Sequence, residues 1–424
     1  MGQQIPKAYL NEATEFLGET PKFVSSAPGR LDLLNTHQDY KMLSVVPVAV
    51  NLRLYLFAIQ TEGSRIEARS KELAESTGQG DFQVDLSNLP GLTRGPSGYL
   101  SSVIKALEKF AHVRGIAGMK VYIRSEIPIA SGMGSSGALE VAFLALLNGM
   151  FSLGLDKRDI AEYAYLSENS EMGIPCGRLD QYSSTYGGMI VLRQRPTIDV
   201  GRLDFPGLDF VAIDSGEKHR TESVHSVRQA EIDRGLRALY GSSAVPKGLK
   251  SRLGRSCQEA DWESVKRDEI SRYLFLLPAK SADRILFTFQ MNGSTELALA
   301  AIRGERVDLS MARDILGEDR ASRLGQKGWN PRDTLGEVMN AQHEFLRDLY
   351  EVSTPKLERI RDAVLYFGGA TGVKISGAGV GGSLVALVDN RQIGERAAKE
   401  AIEAGAVSAW PVREDTGCLF QGIS

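Results

Sequence analysis

Pro128-Ile129-Ala130-Ser131-Gly132-Met133-Gly134-Ser135-Ser136-Gly137 is the stretch on which the reading of this chain turns. Before it, Met119 to Ser125 alternates like a strand. After it, Ala138 to Leu153 is long and apolar, as a buried helix is. Glycines at 132, 134 and 137 let backbone N–H groups converge with no Cβ in the way. A helix beginning near Ser136 adds a partial positive charge at its N-terminus. Together they suit a polyphosphate, and the Ser135 and Ser136 hydroxyls add oxygens for a phosphate or a Mg²⁺ ion. The lysine of GxxxxGK[ST] is missing, which excludes a Walker A loop here. Taken alone, the stretch reads equally well as an ordinary strand-to-helix turn.

A second glycine run, Ser376-Gly377-Ala378-Gly379-Val380-Gly381-Gly382-Ser383, joins Lys374–Ser376 to Ser383–Val388, both strand-like. The 424-residue length argues for two domains, with a division near 195–205 that gives 1–200 and 201–424. A net charge of −3 offers no basic surplus for nucleic acid or an acidic membrane surface. Cys176, Cys257 and Cys418 lie far apart without metal-ligand spacing, so a reducing, cytoplasmic setting is expected. The first twenty residues lack a signal-peptide pattern, and no apolar run is long enough for a membrane span. A helix is expected over 7–17 and a strand over Phe23–Ala27, broken by Pro28-Gly29-Arg30. Val45–Ala58 is a strand pair or one long strand, and Asp156 caps a helix running to about Met172. Residues 218–240 and 255–350 are mostly helical by pattern.

The quoted loop resembles the PxxxGLxSS motif of the GHMP kinases, and other stretches resemble the galactokinase branch of that family. Ala27-Pro28-Gly29-Arg30-Leu31-Asp32-Leu33-Leu34-Asn35-Thr36-His37-Gln38-Asp39-Tyr40 is similar to GRxNLxGEHxDY, and Pro175-Cys176-Gly177-Arg178-Leu179-Asp180-Gln181 to PCGxMDQ. Asp214-Ser215, His219 and Arg228 follow NSxxxHxLxxSxYxxRR, and 376–383 matches GxGxGG. The resemblance implies an α+β fold of two lobes, each a mixed or antiparallel sheet with helices, and an active site in the cleft between them. It implies ATP as co-substrate, Mg²⁺, and transfer to the anomeric hydroxyl of galactose or a close relative. Asp180 matches the family's catalytic base, and Arg30 the arginine that pairs with it. Gly132, Gly134, Ser135, Ser136 and Gly137 match the ATP phosphate loop; Ser136 and Glu168 match positions that hold Mg²⁺. Thr36, His37, Asp39 and Gly177 match sugar-binding positions. The partners implied are a small sugar and ATP, with neither nucleic acid nor membrane; the oligomeric state is left open.

The sugar end departs from the pattern. Thr36 stands where the branch carries Glu, and Ser226 where it carries Tyr. A pocket built to hydrogen-bond a hydroxyl discriminates strongly, so both changes bear on substrate. Galactose remains first; galacturonate or L-arabinose is the alternative, because losing a Glu removes repulsion against a uronate carboxylate. Lys41 and Arg178 are candidate counter-charges, though as lone basic residues they are expected on the solvated surface. A third reading is a sugar sensor that binds without turnover; intact Ser135, Ser136, Glu168, Arg30 and Asp180 favour an enzyme.

Overall fold

The computed structural model describes residues 5–89, 91, 95–128, 131–205, 207–217 and 221–423. Its strands are, in chain order, β1 (Phe23–Leu34), β2 (Val46–Gln60), β3 (Arg65–Ser70), β4 (Asp81–Asp85), β5 (Met119–Ser125), β6 (Ile190–Arg193), β7 (Asp199–Arg202), β8 (Asp209–Asp214), β9 (Gly372–Ser376), β10 (Ser383–Val388), β11 (Ser408–Arg413) and β12 (Leu419–Gly422). The chain forms two units. Unit 1 comprises the chain up to Arg30, Ala49–Gly188 and the segment from Glu414; unit 2 comprises Leu31–Val48 and Met189–Arg413. The units are interleaved along the sequence, unlike a single division near 195–205, because β1 and β2 each leave one unit and enter the other.

Unit 1 is built on a six-stranded sheet of order β12-β1-β2-β5-β3-β4. β2 pairs antiparallel with β5, β3 parallel with β5, and β4 antiparallel with β3. Val46–Gln60 is one long strand rather than a pair. Its helices are α1 (Lys7–Leu17), α2 (Lys71–Thr77), α3 (Pro96–Phe110), α4 (Ser135–Phe151), α5 (Lys157–Leu166) and α6 (Leu179–Tyr186). α4 is buried continuously from Gly137 to Leu147, as an all-round apolar helix must be.

Two local expectations fail here. Pro28-Gly29 does not end β1, which runs on to Leu34. The β12 ladder covers only Phe23–Ser26, so Pro28, which has no N–H, stands beyond it and forfeits no bond there. Its carbonyl accepts from Ser184 Oγ (2.8 Å), and Arg30 N–H donates to Met133 O (3.0 Å). Nor is 156–172 one α-helix. Asp156 caps the helix as expected, in a capping box with Asp159, but α5 ends at Leu166 and Ser167–Glu171 is a π-helical turn. Met172 N–H reaches back five residues to Ser167 O (3.1 Å). Such widened turns re-aim side chains at functional positions.

Unit 2 holds a four-stranded antiparallel sheet of order β11-β8-β10-β9 and the small β6–β7 hairpin. Val211 and Ile213 of β8, Val373 and Ile375 of β9 and Leu384 of β10 pack with Phe287, Met291, Leu346 and Leu357 from the flanking helices. The glycine run is the turn between β9 and β10, which pair from Ser376↔Ser383. Among the described residues, no helix is long and apolar enough to cross a membrane.

Arg53 is fully buried in unit 1 and fastens the C-terminal segment to the sheet. Its guanidinium donates to Asp415 Oδ2 (3.0 Å), Thr416 O (2.9 Å), Gly417 O (2.9 Å) and Ser26 Oγ (3.0 Å). Arg53→Leu strands these acceptors and is expected to destabilise the protein by roughly 3 kcal/mol, the scale for breaking a buried ion pair. Chemical denaturation gives the loss, and faster amide exchange over 414–423 locates it; unchanged exchange there would contradict the fastening role.

Candidate active site

The glycine loop and Asp180 are held together by one side chain. Arg30 Nε–H donates to Asp180 Oδ1 (2.8 Å), Nη2 lies 2.7 Å from the same oxygen, and Nη1–H donates to Gly132 O. Gly132 (φ 78°) and Gly134 (φ 72°) take the left-handed backbone that favours glycine. A Cβ on Gly134 would sit 3.2 Å from Arg30 Cγ and 3.3 Å from Asp180 Oδ2. One on Gly137 would sit 2.9 Å from Asp180 Cβ. These glycines therefore make room for the Arg30–Asp180 pair as well as freeing the backbone. Gly134 is also the cap of α4 and has no side-chain acceptor, which leaves the first amides of the helix for another anion.

Asp180 is the second residue of α6, two after Arg178 at its cap and three after Gly177 in the preceding loop. Arg178 grips Glu162 through Nε (2.9 Å) and Nη2 (2.8 Å) and lies over the Tyr165 ring at 3.9 Å. It is thus a clasp for the start of α6 rather than a solvated charge.

Beside this pair lies a corner of carboxylates. Ser136 Oγ donates to Glu168 Oε1 (3.3 Å), on the π-helical turn. Burial, followed by the charge of Asp180, pushes the Glu168 carboxyl up to about 7. Glu140, on α4, is also buried, and burial together with the Glu168 charge holds it well above the usual carboxyl range. No group of three or more His, Cys, Asp or Glu side chains forms a metal cage among the described residues. Two adjacent hard oxygens, Ser136 Oγ and Glu168 Oε1, fit Mg²⁺ instead, an ion that keeps waters and phosphate oxygens for its other positions.

Thr36, His37 and Asp39 lie in unit 2, just past the end of β1. Thr36 is buried, and its Oγ1 accepts from Lys374 Nζ (2.6 Å). Lys374 also donates to Asp32 O (2.9 Å) and Ile375 O (2.8 Å). His37 Nε2 bonds to Ala378 O (3.1 Å), which makes it the protonated nitrogen because a carbonyl only accepts. Nδ1 then accepts from Tyr40 OH (3.3 Å), which shares a 2.5 Å bond with Tyr350 OH. Burial first, then the His225 and Lys41 charges, hold His37 well below its ordinary value, so it is neutral. Its ring ties the first motif to the second glycine run. Asp39 is half-buried, and its Oδ1 accepts from Tyr40 N–H (2.9 Å). Ser226 is exposed on the helix Thr221–Gly241, and His219 lies outside the described residues.

Lys41 is the marked departure from expectation. It is 0% exposed rather than on the surface. Its Nζ donates to Thr288 Oγ1 (2.9 Å) and faces the rings of Phe287 (4.9 Å) and Tyr350 (5.0 Å). Hydrophobic neighbours far along the chain, invisible to a local reading, enclose it.

Family models match in three places. The GHMP kinases N terminal domain covers residues 99–188, the galactokinase galactose-binding signature 13–59, and the GHMP kinases C terminal 330–407. The chain belongs to the GHMP kinase family. It is similar to galactokinase from Thermococcus kodakarensis, 28% identical over 383 residues, covering 89% of this chain and 92% of that one. It is likewise similar to galactokinase from Chloroflexus aggregans, 28% identical over 388 residues, with 90% and 87% covered. Lactococcus lactis galactokinase, solved in complex with galactose, superposes with a TM-score of 0.78 at 22% identity, covering 97% of this chain and 99% of that one. That likeness establishes the GHMP fold. Motif reading of the family passes over Glu140, yet it is the only charge between Ser135 and Phe151, and a lone carboxylate in an apolar helix signals a buried partner.

Two outcomes follow from this geometry. Gly137→Ala pushes Asp180 out of place, and turnover should fall on the order of 100-fold, the scale of a small misplacement, with circular dichroism unchanged; wild-type turnover would remove the packing role. Burial lowers Lys41 from 10.5 to about 7. Between those values the unfolded chain binds more protons than the folded one, so stability rises with pH across that window and is lost as pH falls through about 7. Melting temperatures of wild type and Lys41→Met should therefore diverge in favour of wild type on going from pH 7 to pH 10; parallel curves would contradict this.

Proposed function

We propose that this protein transfers the terminal phosphoryl group of ATP to the anomeric hydroxyl of galactose. The observation that carries the reading is the Arg30–Asp180 pair, bonded to the glycine loop and adjacent to Ser136 and Glu168. Phosphoryl transfer asks for positioning, charge neutralisation and removal of a hydroxyl proton. Asp180 accepts the proton of the anomeric hydroxyl. The Arg30 guanidinium stabilises the alkoxide as it develops. Gly132, Gly134, Ser135, Ser136 and Gly137 hold the phosphates, with the amides at the head of α4 directed to them. Ser136 and Glu168 would hold Mg²⁺, which neutralises phosphate charge when bound. Asp39, His37, Thr36 and the Gly177 N–H are assigned to the sugar; Asp39, acceptor-only, suits neighbouring hydroxyls.

One contact favours a second reading. Thr36 Oγ1 accepts from Lys374 Nζ (2.6 Å), and its own hydrogen is free to donate. A donor backed by an ammonium suits an acceptor, such as the carboxylate of galacturonate, better than it replaces a Glu. ADP release with ATP and Mg²⁺ across galactose, galacturonate and L-arabinose decides between them. Galactose turnover is expected; ADP release with galacturonate alone would install the second reading, and none with any sugar would leave a binding-only sensor. Asp180→Asn is expected to lower kcat by roughly 10²–10⁴, the range for a general base, with ATP binding retained. Unaltered kcat would rule out the base.

A further inference from the structure

Ser136 and Glu140 are four residues apart on α4, so they share one face. Three elements meet at that face: α4, the π-helical turn and α6. Glu140 is 0% exposed. Its Oε1 accepts from Ser167 Oγ (2.8 Å), and its Oε2 accepts from Gln181 Nε2 (3.2 Å). The same amide nitrogen donates to Glu168 Oε2 (2.6 Å). One carboxamide therefore bridges two carboxylates from different elements. With either carboxyl ionised, the amide nitrogen is the end that suits them, because a carboxylate only accepts. Gln181 is itself 0% exposed, directly follows Asp180, and its Oε1 has no hydrogen-bond partner within the described structure. An orphaned buried acceptor in this corner suits a site completed by water and phosphate.

We infer that Gln181 and Glu140 are positioning residues for the divalent cation: Glu140 anchors the Gln181 amide, and the amide aims the Glu168 carboxylate. Ser167, the residue before Glu168, ties the same turn to Glu140 a second time. The assignment rests on the kinase reading above, through the role given there to Glu168. It goes beyond it by naming two residues that touch neither sugar nor phosphate. Partners that orient a ligand in this way are worth about 10- to 100-fold in metal affinity.

The test is binding of Mn²⁺ in the presence of ATP and without sugar, followed by the electron paramagnetic resonance signal of free Mn²⁺. Glu168→Gln is the control. Gln181→Leu and Glu140→Ala should each weaken Mn²⁺ by roughly 10-fold or more, while metal-free ATP binding and the KM for sugar change little. Glu140→Gln keeps an acceptor for the amide and should lie closer to wild type than Glu140→Ala. If Glu140→Ala does not fold, Ser167→Ala, which removes the other bond to Glu140, should still weaken Mn²⁺. Wild-type Mn²⁺ binding in Gln181→Leu or Ser167→Ala, with Glu168→Gln impaired, overturns the inference alone. Wild-type binding in Glu168→Gln overturns the metal assignment and this inference with it. Both results are independent of whether any sugar is phosphorylated.

Discussion

The Arg30 guanidinium is the interaction on which the rest of unit 1's chemistry depends. It spends its donors on Asp180 and on the carbonyl of Gly132, and so makes the loop and the carboxylate one object. A mostly buried cation needs a partner of opposite charge, and a partly buried carboxylate needs the same. Each therefore fixes the other, and both fix the glycine loop. The glycines are the condition for this: a methyl group at Gly137 would collide with Asp180, and one at Gly134 would crowd both members of the pair.

Charge balance then accounts for the neighbouring corner. Asp180, Glu168 and Glu140 bring negative charge into a buried region, and hydrogen bonds from Ser136, Ser167 and Gln181 share it out. Burial pushes both glutamates toward their protonated forms. The π-helical turn is what brings the Glu168 carboxylate into this corner. Unit 2 solves a different problem. There His37, neutral and bonded through both nitrogens, is a strut between the first motif and the turn of the β9–β10 hairpin.

Much of this was legible from residue order. The helix 7–17, the cap at Asp156 and the strand–glycine loop–helix unit follow local backbone preferences, and they appear where expected. The pairing of Arg30 with Asp180 was legible only through the family resemblance, since the two lie far apart in sequence. Pro28 within β1 was not legible, because whether proline breaks a strand depends on where its neighbour's ladder ends. Glu140 left a signal, a single charge in an apolar helix, but its partners come from two other elements.

By itself, then, the sequence determined the type of chemistry. Glycine spacing, hydroxyls at a helix start, and a carboxylate after a tight loop are properties of short stretches, and short stretches report local conformation faithfully. The tertiary structure alone decided which charges are buried and which of them meet. Lys41 became a core residue, Lys374 took the hydroxyl of Thr36, and Gln181 came to bridge two glutamates. The reason is physical: desolvation and hydrogen bonding act through distance in space, and the elements that set those distances are remote along the chain.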